Sequence, residues 1–202
     1  MSLRQARKDE LRRRLYETTV ELFRERGFDG TRVKDVIDRV GVSEATFYNY
    51  FPTKEAVLQQ SAGETKGFYG VFLHHLVARG DEPVVDRLQE LVRVMAFVCS
   101  ADREFLATVL SRTSLFSGSV GLGKEEDLAN FDTLATLFDQ GQQRGEITLG
   151  YDPLQLAEVF ISIQMLTITN WVTGWWGEIG DLEPRMLAAL DVMVVGCRSA
   201  PR

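Results

Sequence analysis

Cysteine, histidine and proline are scarce in this chain of 202 residues, which holds two, two and five of them. Cys99 and Cys197 each stand alone in an apolar stretch, so there is no disulfide framework and no zinc-ligand spacing; a reducing compartment follows. His74 and His75 are adjacent. Neighbours on a helix point about 100° apart, so the pair cannot grip one ion as residues four apart do. No basic-then-apolar leader is seen at the start, and a cytoplasmic location is expected. Strand-like alternation and internal repeats are missing. So are a Glu-x-x-His pair, a glycine-rich phosphate loop and a nucleophile triad. These absences argue against an enzyme, and no cofactor or metal is expected.

Long hydrophobic runs are also few. From Val159 to Gly177 no residue is charged, long enough to raise a membrane span. Ser162, Gln164, Thr167, Thr169, Asn170 and Thr173 interrupt it. It reads as a helix buried on most sides, part of it at a subunit contact, and not as a membrane segment.

The net charge of −6 is unevenly spread: residues 1–60 hold twelve Lys/Arg against ten Asp/Glu, and residues 61–202 hold eleven against nineteen. Six of the first fourteen residues are basic: Arg4, Arg7, Lys8, Arg12, Arg13 and Arg14. A basic front on an acidic body fits a front that meets a polyanion.

Helical periodicity runs through the chain. Leu11, Leu15, Leu22 and Phe23 mark a helix over 7–26, with Gly27 at its exit. Val33, Val36, Ile37 and Val40 form a two-turn stripe that Gly41 ends. Ser43 caps the next helix and Pro52 stops it. Thr53 caps a long helix over 54–78. Further helices are predicted at 83–100, 102–117, 124–144, 153–172 and 184–198, the last two with a proline in the first turn. The fold class is all-α, with about nine helices. The expected domains are residues 1–54, a three-helix front, and 55–202, a helical body.

Two short helices joined at Gly41-Val42 make a helix-turn-helix, whose second helix enters the DNA major groove. That second helix is crowded with Phe47, Tyr48, Tyr50 and Phe51. At 3.6 residues per turn, Phe47 and Phe51 face Val36, Val40 and Leu22. Glu44, Ala45, Tyr48 and Asn49 face away, with Thr46 on the flank. Ala45 lets the backbone approach base edges, Thr46 suits a thymine methyl or a phosphate, and Tyr48 and Asn49 can donate to phosphate oxygens. Lys54 lies in the first turn of the following helix, where free N–H groups favour an anion. Arg32 joins this candidate DNA-binding set. Glu44 is the odd member, a carboxylate on a face meant for an acidic partner. Arg4, Arg7 and Lys8 either follow the DNA or form a solvated tail.

The stretch "TRVKDVIDRVGVSEATFYNYFPTKEAVL", Thr31 to Leu58, resembles the DNA-binding region of the TetR family of bacterial transcriptional repressors. "GVS", "TFYNYF" and "TKE" carry the likeness, which covers roughly the first 60 residues. It implies a homodimer reading a near-palindromic operator in successive major grooves, released by a small apolar or amphipathic effector held in the body. Thr31, Ser43, Thr46, Tyr48 and Lys54 match positions that commonly touch DNA in that family. Ile37, Val40, Ala45 and Glu44 depart from its usual residues. The alternative is a helical small-molecule-binding or adaptor protein without operator binding.

In the body, Phe97, Phe116, Gln164, Thr167 and Trp171 are the candidate ligand-binding residues, because ligand pockets are mostly apolar with a few polar groups. Arg93 and Arg112 are read as surface ion pairs. Stripes of Leu156, Phe160 and Ile163, and of Met186, Leu190, Met193, Val194 and Cys197, are the candidate dimer contact, two antiparallel helices from each copy.

Overall fold

The computed structural model describes residues 2–113, 125–175, 177 and 180–197, with side chains from Leu128 onward in the second segment. Among them are nine helices and no β-strand. They are α1 (Leu3–Gly30), α2 (Val33–Val40), α3 (Glu44–Tyr50), α4 (Lys54–Ala78), α5 (Val84–Ser100), α6 (Arg103–Arg112), α7 (Glu125–Gln143), α8 (Pro153–Thr173) and α9 (Leu182–Cys197). The all-α expectation holds. The first helix begins earlier than its apolar stripe indicates, because Ser2 caps it by accepting from the Gln5 N–H at 3.2 Å. Arg4, Arg7 and Lys8 are therefore exposed helical residues.

The chain packs as two compact units. One comprises Met1–Glu64 and Glu104–Ser114, the other Thr65–Arg103 and Leu115–Arg202. The division lies inside α4, farther along than the boundary expected near residue 55. Most of α6 packs with the first unit, which local periodicity could not reveal, since it depends on contacts distant in sequence.

In the first unit Leu15, Leu22, Val36, Phe47, Phe51, Val57 and Leu58 are buried together. Fully burying each such side chain contributes about 1.5–3 kcal/mol. α3 has only seven residues, too short to stand alone in water, so its order comes from this packing. α1 and α4 are tied by Arg12, whose Nη2 donates to Gln60 Oε1 at 2.9 Å. Tyr16 Oη donates to Glu64 Oε2 at 2.8 Å. Burial pushes the Tyr16 phenol up to about 12, and the hydrogen bond to the Glu64 carboxylate adds to the shift.

In the second unit α8 lies against α7 and α9, and α5 against α9. Phe138 and Phe160 meet edge to face at 6.2 Å between ring centres. Arg87 is wholly buried here. Its Nη1 donates to Leu76 O at 3.0 Å and to Gln140 Oε1 at 2.6 Å. Burial lowers its pKa, yet a guanidinium stays charged even so.

Candidate nucleic-acid interface

Glycine sets the joint between α2 and α3. Gly41 has φ +80°, ψ +44°, and its N–H donates to Ile37 O at 2.8 Å. Side chains with a Cβ resist this left-handed conformation. Two residues later Ser43 Oγ accepts from the Thr46 N–H at 3.2 Å and lies 2.8 Å from Thr46 Oγ1. Phe47 and Phe51 then turn inward, each almost entirely buried, with ring centres 5.9 Å apart. The sequence-based division of the aromatics is what the structure shows. Tyr48 is 44% exposed, its ring edge-on to Phe47 at 5.5 Å, and Tyr50 is half-buried.

The outward side presents Glu44, Ala45, Tyr48 and Asn49, all exposed, with Ser43 exposed and Thr46 half-buried beside them. Glu44 and Tyr48 open on a cleft of about 580 Å³ shared with Asp29, Arg32, Lys34 and Lys54. Arg32 and Lys34 are exposed at the start of α2. Among the described residues neither forms an ion pair. This gives the polar groups of α3 two cations on the same surface.

Two expected DNA contacts are engaged within the protein instead. Thr31 is fully buried, and its hydroxyl lies 3.0 Å from Leu22 O and 2.8 Å from Gly27 O. It closes the bend at Gly27, where φ is +73°, by offering its one proton to the carbonyls that the broken helix leaves open. Lys54 Nζ donates to Phe28 O at 2.9 Å and Thr31 O at 2.7 Å, and sits 4.3 Å from the Phe28 ring centre. The ammonium thus caps the end of α1 with two of its three N–H groups. Sequence position showed these residues at the right places in the motif, but not which carbonyls would claim them.

Sequence reasoning also missed the role of Phe28. Its buried ring faces Lys54 and also Arg112, whose guanidinium carbon is 5.1 Å from the ring centre. Arg112 Nη2 donates to Asp29 Oδ2 at 2.6 Å. This is the surface ion pair expected of Arg112, now with a named partner; Arg93 pairs with Glu183 at 3.8 Å. Two cations on one ring flank the α1–α2 bend. The string "RGFDGT" contains the ring and the acid, but the cations come from far along the chain.

A family model for bacterial regulatory proteins of the tetR family matches residues 15–60, the segment that builds this joint and its outward face. Residues 15–60 thus match the DNA-binding region of the tetR family. The chain's relatives include the biofilm operon icaADBC HTH-type negative transcriptional regulator IcaR of Staphylococcus epidermidis. The identity there is 24% over 161 residues, covering 78% of this chain and 80% of that protein. Among solved structures, Thermus thermophilus FadR, a TetR-family transcriptional repressor in complex with lauroyl-CoA, superposes with TM-score 0.69 at 24% identity, covering 95% of this chain and 98% of the other. FadR from Bacillus subtilis in complex with stearoyl-CoA gives 0.65 at 22%, covering 92% and 98%. The likeness in fold thus extends over the body as well as the front.

The second unit places the remaining candidates differently from the sequence reading. Phe97 is 77% exposed on α5 and lines no interior. Gln164 is buried, its Nε2 donating to Met186 O at 3.2 Å while Oε1 has no protein partner among the described residues. Thr167 is half-buried and bonds back to Ile163 O at 2.8 Å. Trp171 Nε1 donates to Gly180 O at 3.1 Å, and its ring lies under Arg103 at 4.9 Å. Phe116 falls outside the described residues.

The dimer stripes need correction too. Leu156, Phe160, Met186, Leu190, Met193 and Val194 are buried within the single chain, with Ile163 and Cys197 half-buried. They are the seam where α8 meets α9 and its neighbours. What faces outward is the other side of both helices: Val159 and Leu166 on α8, Val192 and Val195 on α9. By length and composition α8 could cross a membrane. Its inward side is instead committed to α7 and α9.

Proposed function

We propose that this protein is a transcriptional repressor that binds a near-palindromic DNA operator as a homodimer in the cytoplasm and lets go when an amphipathic effector enters its second unit. The observation that carries this reading is the two-sided α3. Phe47 and Phe51 anchor it, while Ser43, Glu44, Ala45, Tyr48 and Asn49 stand outward with Arg32 nearby. A recognition helix presents such a polar side to the major groove and its phosphates. A pair of such heads follows from a palindrome's two-fold symmetry. The self-contact is assigned to the outward apolar residues of α8 and α9, with Leu166 60% and Val192 74% exposed. Apolar side chains in such number on two adjacent helices mark an interaction surface. Gln164, Thr167 and Trp171 remain the effector-facing candidates. A long-chain acyl-CoA is the effector class to try first, since both FadR structures hold one.

The test selects bound duplexes from a random DNA pool and then titrates lauroyl-CoA and stearoyl-CoA against the selected complex. Enrichment of an inverted repeat, released by an acyl-CoA, is expected. Failure to enrich any duplex would favour a helical binding protein without operator recognition. Enrichment without release would remove acyl-CoA while leaving the repressor reading in place.

A further inference from the structure

The outward side of α3 carries one carboxylate and no cation, an unusual endowment for a surface that meets phosphate. Glu44 is the first residue of α3 and is exposed. The start of the helix is capped without it: Ser43 Oγ takes the Thr46 N–H, and Thr46 Oγ1 lies against Ser43 Oγ. No described residue forms a hydrogen bond through the Glu44 side chain or an ion pair with it. Arg32 and Lys34 share its cleft without pairing to it. The carboxylate is left for whatever α3 meets.

A carboxylate can only accept hydrogen bonds. In the major groove guanine shows two acceptors, and thymine an acceptor and a methyl. Adenine shows a donor with an acceptor beside it. Cytosine shows only its N4 amino donor. A carboxylate pressed against any edge but cytosine is desolvated without a partner or set against a lone pair, and either is costly. Ala45 beside it is too small to compete for the edge. Tyr48, one turn further on the same side, is exposed, and a phenol hydroxyl can donate to the phosphate chain. Arg32 and Lys34 offset the repulsion between the carboxylate and the duplex.

We propose that Glu44 is a specificity-determining residue, accepting a hydrogen bond from a cytosine N4 amino group, so that each operator half-site holds a G·C pair at one fixed position. This rests on the DNA-binding reading above. The penalty for the wrong base does most of the selecting, because unpaired partners discriminate more strongly than good ones attract.

The experiment takes the duplex selected by the full-length protein and replaces each half-site base pair in turn by the other three. Affinities are measured for the parent protein, Glu44→Ala and Glu44→Gln. The parent is expected to reject every base but cytosine at one position by on the order of 10- to 100-fold. Glu44→Ala should flatten that position to within about threefold and leave the others unchanged, its thermal midpoint matching the parent's. Glu44→Gln should move the preference there toward adenine, which glutamine pairs through N6 and N7. A Glu44→Ala profile matching the parent's at every position overturns the proposal while leaving operator binding intact. If the parent itself binds no duplex, the DNA-binding reading falls, and this inference with it.

Discussion

Helix α3 is apolar on one side only, whereas α8 is apolar on two. α3 turns Phe47 inward and Glu44, Tyr48 and Asn49 outward. α8 turns Leu156, Phe160 and Ile168 inward, yet leaves Val159 and Leu166 outward. On α3 the polarity of the outer side marks it as a face for a polar partner or solvent, because an unpaired carboxylate has no place in a core. On α8 the outer side states only that something apolar covers it. Spacing alone therefore settles the orientation of α3. On α8 it leaves two stripes, of which the one with larger side chains was assigned to the partner and belongs to the chain's own interior.

The largest expected effects come from the inward sides of both helices, where the two should behave alike. Phe47→Ala and Phe160→Ala each remove a fully buried ring and should cost about 3–5 kcal/mol in urea unfolding. A loss below about 1 kcal/mol at Phe160 would return it to the list of partner contacts. The outward sides should then part company. Leu166→Glu, at a site 60% exposed, should leave monomer stability within about 0.5 kcal/mol and convert a dimer to a monomer in light scattering at micromolar concentration. A Leu166→Glu protein that keeps its dimer mass would place the self-contact elsewhere.

A smaller effect tests the correction at Lys54. Lys54→Ala removes two hydrogen bonds to carbonyl oxygens at the α1–α2 bend, and should cost about 1–3 kcal/mol of stability. The salt dependence of DNA binding should keep its slope, since an ammonium already held by Phe28 O and Thr31 O releases no counterion on binding. A slope reduced by about one would show Lys54 on a phosphate after all.

What the sequence made legible follows from how local each determinant is. Helix limits, the Gly41 turn, the Ser43 cap and the split of Phe47 from Tyr48 depend on residues within a turn or two, and each was readable. Thr31 and Lys54 occupy the right places in the motif, but their partners are carbonyls at the end of α1, exposed by a bend at Gly27. Phe28 depends on Arg112, more than eighty residues distant along the chain. Phe97 sits in an apolar stretch of α5 and still points to solvent, because α5 packs against α9 and α7 and the side it buries carries Leu88, Val92 and Met95 instead. Side chains whose surroundings are assembled from distant segments cannot be placed by periodicity.

On the proposed function, the outer side of α3 binds DNA and contributes nothing to the core. The double variant Tyr48→Ala/Asn49→Ala tests it most directly, read by DNA affinity and thermal midpoint together. Both side chains are exposed. DNA binding should weaken by about tenfold or more, from the loss of two hydrogen bonds to charged phosphates, with unfolding free energy unchanged within about 0.5 kcal/mol. Parent-like affinity, or a loss of affinity that only tracks a loss of stability, would contradict it.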